Sequence, residues 1–497
     1  MTTRRTVLGA LGVSALGVTG FGGLALPRSH GQTGASVRSR LPLPKRFAVP
    51  LPVPPVARPV RVDAVADHYV VTQRHARQEI LPGLRTPILG YDGIFPGPTI
   101  ETRSGRGVVV THRNELTVPV AVHLHGGHTP ARSDGFPTDI VASPDGSVSS
   151  RAYSYPMQQR AATLWYHDHR MEFTGPQVYG GLAGFHLVHD DEEDALPLPQ
   201  GERDVPLMIA DRAFEEDGSF RYPQHDPAMA GSAAAHHAAL AGVLGDVVLV
   251  NGAPWPVLEV AAARYRLRLL NASNARRYVL RLSPARTPLV QIGSDGGLLA
   301  RPVRHTALAL AAGERYDVVV DFAAYPPGTV VDLVNDAGSG STADVMRFRV
   351  TRRVVDDSRV PSRLGGVEVL APARAVRTRD WRFRRGAPDG PAWVVNGRGF
   401  DPRRTDATPR LGQLEVWRFT TDLRHPVHVH LDPFQVVSRR GGPAAPADGG
   451  WKDTVDVAPH ETVEVAIRFT DYAGRYLLHC HNLEHEDMAM MAAFTTG

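Results

Sequence analysis

A single cysteine, Cys480, occurs in the 497 residues, so no disulfide can form within the chain and packing must hold the fold. Lysine is almost as scarce. Only Lys45 and Lys452 are present, and arginine carries the rest of the positive charge. Those arginines are scattered among Asp and Glu and leave a formal net charge of +4, without the basic stripe of a nucleic-acid binder. Beyond the amino end no stretch is long and apolar enough to span a bilayer. Charged residues at 21% and apolar ones at 42% exclude a disordered chain. What is abundant is Gly (48) and Pro (41), without a triplet period, which points to many turns and to β structure.

The chain starts Met1-Thr2-Thr3-Arg4-Arg5-Thr6-Val7-Leu8 and continues uncharged to Leu26, diluted by six glycines between Gly9 and Gly23. Six glycines make a poor permanent helix. Paired arginines ahead of so weakly apolar a segment resemble a removable twin-arginine export signal. The expectation is an exported protein, in the periplasm, at the cell surface or in the medium, with no membrane span once the signal is cut. Leu41 to Pro59 is rich in proline and reads as an extended linker or a strap over the first domain.

From about residue 60 the apolar residues come in short alternating runs between Gly, Pro and Asp turns, as in Gly107 to His112, Arg315 to Phe322 and Glu461 to Phe469. Such spacing predicts an all-β chain of sandwiches or barrels. The acidic run Asp190–Asp194, read as a solvated linker, and the aperiodic stretch from Arg352 to Arg374 divide the body. The expected pieces are a signal and linker over 1–45 and domains over 46–195, 196–360 and 361–497. The segment from Ala228 to Ala241, with His236 and His237 adjacent, reads as a short helix or surface loop. Neighbouring histidines diverge, so no metal is assigned to it.

Four histidine clusters remain: His123-Leu124-His125; His167-Asp168-His169; His425-Pro426-Val427-His428-Val429-His430; and His479-Cys480-His481 followed by His485 and Met490. Residues i and i+2 of a strand face the same side, so each His-x-His pair can offer two imidazoles to one centre. If Ala473 to Asn482 is a strand, His479 and His481 point one way and Cys480 the other, and one strand serves two metal sites. A thiolate with imidazoles and a weak axial thioether is a blue-copper ligand set, and His425, Cys480, His485 and Met490 supply it. Zinc is content with four N or S donors and has no redox chemistry, so this donor count favours copper. Any one pair could arise by chance among 22 histidines, and Trp165, Tyr166, Met488 and Met491 would ordinarily be core residues. The conjunction of four clusters around the sole cysteine is what carries the reading.

These residues resemble the multicopper oxidases, over essentially the whole chain after the signal. The resemblance implies three cupredoxin-like Greek-key domains, the first and last holding metal. It implies four coppers: a type 1 site on His425, Cys480, His485 and Met490; a type 2 site on His123 and His428; and a type 3 pair on His125, His167, His169, His430, His479 and His481. It further implies that a small reducing substrate gives electrons to type 1 copper near the surface beside His425 or His485. Cys480 and its neighbours His479 and His481 carry them on to the centre where O2 becomes water. Asp134, in Ser133-Asp134-Gly135, and Glu486 match the family's proton-relay positions, with hydrogen bonding to imidazoles as their other role.

Glu484 to Met490 and Gly450-Trp451-Lys452-Asp453-Thr454 are most similar to bacterial laccases of the spore-coat type and their bilirubin-oxidase relatives. An oxidase of phenols and other electron-rich aromatics is therefore expected, with bilirubin or cuprous and other metal-ion oxidation as the runner-up. Leu423 stands where bilirubin oxidases carry Trp, and the nine methionines form no copper-collecting run. A copper-free assembly factor should have lost the ligands, and a copper store would consume no oxygen. The loop Arg439 to Gly450 is read as a substrate mouth or a hairpin tip.

Overall fold

The computed structural model describes residues 33–142, 148–223, 241–387 and 389–497; the twin-arginine segment and the His236–His237 segment lie outside them. Among the described residues the strands form six sheets of four or more strands and one two-stranded patch. They pair into three sandwiches, the all-β class expected from the turn spacing.

In the first sandwich, Ala66–Glu79, Gly107–Asn114 and Ser149–Tyr155 share a core with a second sheet. That sheet runs in the order Gly97–Arg103, Ala183–His189, Ala162–Asp168, Val122–His125. Gly107–Asn114 alternates half-buried and buried residues, so Val108 and Val110 fill this core while the intervening residues face outward. The middle sandwich stacks a seven-stranded sheet on a five-stranded one around Leu267, Leu269, Val318, Leu280 and Leu333. The last stacks a six-stranded sheet on the four strands Thr454–Val457, His425–Val429, Gly474–Cys480 and Met491–Thr496. One pairing recurs in all three: Ala66–Glu79 runs parallel to Gly107–Asn114, Asp204–Arg212 to Arg264–Asn271, and Arg377–Arg385 to Leu414–Thr421. A parallel pair cannot be closed by a tight hairpin, so the chain crosses over between them in each body.

The strands that bear histidine clusters are buried along their length. Val122–His125 and His425–Val429 have no exposed residue, and Gly474–Cys480 is buried from Tyr476 onward. Period-two alternation explains this. Val122 and Leu124 enter the first core, while Val427, Val429, Tyr476, Leu478 and Cys480 enter the last. The opposite faces carry His123, His125, His428 and His479 and are covered by the neighbouring body, whereas His425 shares the core face with Val427 and meets Cys480. Each fully buried aliphatic side chain is worth about 1.5–3 kcal/mol, so these faces are fixed in register by their apolar halves.

The structure corrects three details. The last metal-bearing strand ends at Cys480, so His481 sits in the turn that leads to the short helix Leu483–Asp487. The acidic run is not a solvated linker: Asp190 caps the helix Asp191–Asp194, and Glu193 is buried against Arg266 and Arg268. Residues 41–59 run as a strap, but mainly over the middle sandwich and not the first: backbone bonds join Phe47 to Trp255 and Leu51 to Val257, and Ala57, bonded to Thr99, reaches the first body. Arg439 to Gly450 forms a hairpin tip in which Arg439 grips Asp448 with two nitrogens. Among the described residues no helix is long and apolar enough to cross a membrane.

Candidate metal centres

Cross-strand register sets the first group of donors. Val427 pairs with Cys480, on the core face of the last sandwich. The Cys480 thiol lies 3.3 Å from His425 Nδ1 and 3.6 Å from His485 Nδ1, and the two Nδ1 atoms are 3.2 Å apart. The outer nitrogens are occupied by oxygen acceptors: His425 Nε2 donates to Asp422 and His485 Nε2 to the Ala241 carbonyl, at 3.2 and 3.3 Å. Met490 is wholly buried in the same core, and its backbone brackets the site, accepting from Cys480 N and donating to the His485 carbonyl. Neither ring is itself exposed; of their two oxygen partners Asp422 reaches solvent, its side chain being 32% exposed.

The second group lies between the first and last sandwiches. His123 pairs with His167 in one sheet and His428 with His479 in the other. Three sets of imidazoles bring a nitrogen from each member within 4.8 Å of one another: His123, His125 and His428; His125, His167 and His481; His169, His430 and His479. Every donor predicted from the His-x-His pairs is therefore brought together. Asp134 is there too. Its carboxylate lies 2.8 Å from His430 Nδ1 and its carbonyl accepts from His123 Nδ1 at 2.5 Å. The turn that delivers it needs Gly135, at φ +80°, because a Cβ there would strike the Val122 carbonyl. Glu486 contacts His479 Nδ1 at 3.1 Å and His169 Nδ1 at 3.4 Å.

The donor atoms fit a cation and little else. His123, His167 and His428 each give Nδ1–H to a backbone carbonyl, which leaves Nε2 buried with no partner. His125 donates from Nε2 to Asp453 and leaves Nδ1 bare; both nitrogens of His481 are bare. Nε2 of His479 faces Nε2 of His169 and of His430 at 3.3 and 3.2 Å. Buried lone pairs converging without hydrogens are costly unless a metal takes them, and a hydrogen bond on the other nitrogen is how ligating imidazoles are held. Burial keeps two of these rings neutral: His167 is pulled down to about 3 and His169 to about 4. Burial also pushes the Cys480 thiol well above its usual range, so a cation must displace its proton. The soft thiol beside imidazoles suits copper.

Two family models, each described as Multicopper oxidase, match residues 73–193 and 373–497. A laccase from Bacillus subtilis (strain 168) is 37% identical over 90% of this chain and 98% of its own length. A bilirubin oxidase from Albifimbria verrucaria is 36% identical over 90% of this chain and 81% of its own. The crystal structure of a multi-copper oxidase from Pediococcus acidilactici superposes with a TM-score of 0.82 at 32% identity, covering 93% of both chains. The chain belongs to the multicopper oxidase family. It is an oxidoreductase that uses oxygen, and copper is its metal.

Several groups in this oxidase were not singled out as sites by the sequence. Asp168, between two ligand candidates, accepts from the Ala121 and Arg170 amides and ties down the turn that carries His169. Asp453 accepts from His125 Nε2 at 3.0 Å and is gripped by Arg315 from the middle sandwich. Burial raises its carboxyl, but Arg315 and His125 outweigh that and hold it well below the usual carboxylate range. Lys452, one of the two lysines, is fully buried between Asp295 and Glu314. Its rarity was the available signal. Trp393 stacks on His485 with ring centroids 3.9 Å apart, and nothing in its local sequence announces that.

Proposed function

We propose that this oxidase is laccase-like: it takes electrons singly from phenols and related electron-rich aromatics and reduces O2 to two waters. In this reading, type 1 copper is held by His425, Cys480, His485 and Met490, type 2 by His123 and His428, and the type 3 pair by His125, His167, His169, His430, His479 and His481. The observation that carries it is the division of one short segment between two centres. Cys480 faces the first donor group while His479 and His481 border the second, one peptide bond away on either side. The domain limits 46–195, 196–360 and 361–497 and export by a twin-arginine signal belong to the same proposal.

Copper at these donors supplies one-electron acceptance at the first centre and, at the second, delivery of four electrons to oxygen. The chain's own residues do the rest. His425 and His485 are held by Asp422 and the Ala241 carbonyl, and the fully buried thiol and thioether exclude water. Asp134, whose carboxyl burial pushes well above its usual range, accepts from His430 Nδ1 at Oδ2 and is placed to hold a proton at Oδ1, which has no partner. Glu486, raised by burial but lowered further by His169 and His479, is ionised and places its charge 3.1 Å from His479 Nδ1.

The test is an absorption spectrum of copper-loaded protein. An intense visible thiolate-to-copper band, bleached by a methoxyphenol and restored by air, is the expected result. A protein without that band, or one in which Cys480→Ser oxidises dyes at full speed, refutes the proposal. Bilirubin or Cu(I) turned over far better than the phenol would move the substrate assignment to the runner-up.

A further inference from the structure

Strand Arg377–Arg385 carries five arginines and a single acid, Asp380. Arg379 is paired with Glu415, but among the described residues Arg382, Arg384 and Arg385 have no carboxylate partner, and all three are exposed. Alternation divides them. Trp381 and Phe383 enter the last core, so Arg382 and Arg384 stand on the outer face, where they line a small cavity with Asp380 and Asn396. Arg385 lies on the other face, with the first donor group. Its guanidinium carbon is 5.7 Å from the centre of the Trp393 ring, which stacks on His485, and its amide donates to Asp422 Oδ2 at 2.8 Å. The other oxygen of Asp422 accepts from Leu423 N at 2.7 Å and from His425 Nε2 at 3.2 Å. Asp422 is thus occupied by N–H donors, and an unpaired guanidinium stands beside the edge where this donor group reaches solvent.

A guanidinium fork matches a carboxylate with two parallel N–H···O bonds, and one kept without an anion at the electron-entry edge is open to an anion from solution. We propose that Arg385 binds the carboxylate of an anionic phenol, so that phenols with a carboxylate side chain are the preferred reducing substrates of this oxidase. The inference deepens the laccase-like reading and rests on it. Leu423, half-buried against the last core and next to Asp422, offers the aromatic ring an apolar neighbour. Arg382 and Arg384 add to a field that draws anions toward this edge. In the reaction the phenol O–H bond breaks. Its electron passes to the first centre and on to O2, its proton goes to solvent water, and the carboxylate is unchanged. A cationic reductant, cuprous ion included, meets the same field as repulsion.

The test compares three phenols that differ in charge but hardly in their ring, because a saturated carbon separates the two: homovanillate, an anion; homovanillamide, neutral; and methoxytyramine, a cation. With copper-loaded enzyme at low salt, kcat/KM should fall in that order, and the three should converge as salt is raised. Arg385→Gln should cut the ratio of homovanillate to homovanillamide about two- to fivefold, through KM and not kcat, and Arg385→Lys should restore part of it. Dimethoxyphenylacetate has no phenol to oxidise, so an NMR titration reads its binding without turnover; Arg385→Gln should weaken that binding by a similar factor. A ratio and a binding constant both unmoved by Arg385→Gln overturn the proposal. So does a ratio that falls as far in Arg385→Lys while dimethoxyphenylacetate still binds at wild-type strength, since Arg385 then only packs on Trp393. Wild-type enzyme that oxidises none of the three phenols refutes the laccase-like reading instead, and the titration still decides whether Arg385 holds a carboxylate.

Discussion

Arg315 and Asp453 form a buried two-pronged ion pair between the middle and last sandwiches, with Nη1 2.7 Å from Oδ1 and Nη2 2.5 Å from Oδ2. Asp453 in turn accepts from His125 Nε2 through its carboxylate and from His428 Nδ1 through its carbonyl. The pair is packed so closely that a Cβ on Gly126 would strike both partners. The middle sandwich supplies no candidate ligand, yet it orients two of them. Asp453→Asn removes the two-pronged partner of a buried guanidinium and leaves it only Asp295 at 3.6 Å, a loss of up to about 3–5 kcal/mol. The expected outcome is a lower denaturant midpoint for the copper-free protein, together with copper loss at the centre that His125 and His428 border. An unchanged midpoint and full copper content would contradict this role.

Acid should destabilise the copper-free fold. In the folded chain burial pulls His112, His167 and His186 down to about 3 and His169 to about 4, against 6.5 when unfolded. Between pH 6.5 and 4 the unfolded chain therefore binds more protons at these rings, and stability falls as pH falls, by up to about 1.4 kcal/mol per ring per pH unit. Glu314 and Glu484, which burial raises to about 7, and Asp168, raised to about 8, act in the opposite sense. The other buried imidazoles add to the first effect, His123, His125, His430, His481 and His485 among them. Thermal melts of copper-free protein should show the midpoint dropping from pH 6.5 to 4.5. Bound copper should flatten that slope, because the folded state then gains binding energy that the unfolded chain lacks.

Met490 offers a narrower test. A thioether donates weakly to oxidised copper and favours that state, so Met490→Leu should raise the type 1 reduction potential. Redox titration of the visible band measures it. A potential that is unchanged or lower excludes Met490 as the axial donor.

The donors were legible because β structure has a period of two. Once His123 and His125 are placed on a strand, alternation alone puts the pair on one face and the intervening Leu124 in the core; the same reasoning places His428 opposite Val429, with His430 just past the strand's end. The lone Cys480 between two histidines then implies two centres. What was not legible came from contacts remote in sequence. Arg315 reaches Asp453 across 138 positions, and Asp134 reaches His430 across 296. Asp134 was found only through its resemblance to a family position. Glu193 lay in a run whose composition reads as solvent-facing, and only the folded position of Arg266 and Arg268 shows why it is buried. The strand limit at Cys480 was missed because the next residues belong to the Leu483–Asp487 helix, whose turn still points His481 back to the centre.

Trp393 has the same character, since strand Trp393–Val395 reads as ordinary core until the fold lays it against His485. Its ring is tilted 32° to that imidazole and meets His425 edge-on at 5.5 Å, so the indole covers both nitrogen donors of the first centre. Trp393→Ala removes that cover. A large-to-small change of this kind in a core costs about 3–5 kcal/mol, and the space left beside His485 would admit water and free the ring to turn. The expected outcome is a lower unfolding midpoint and a shifted, broadened visible band, because the band depends on the geometry of donors around the thiolate. Trp393→Phe keeps an aromatic face on His485 and should recover most of both. If the alanine variant keeps the wild-type band while its midpoint falls, Trp393 stabilises the core without positioning the ligand.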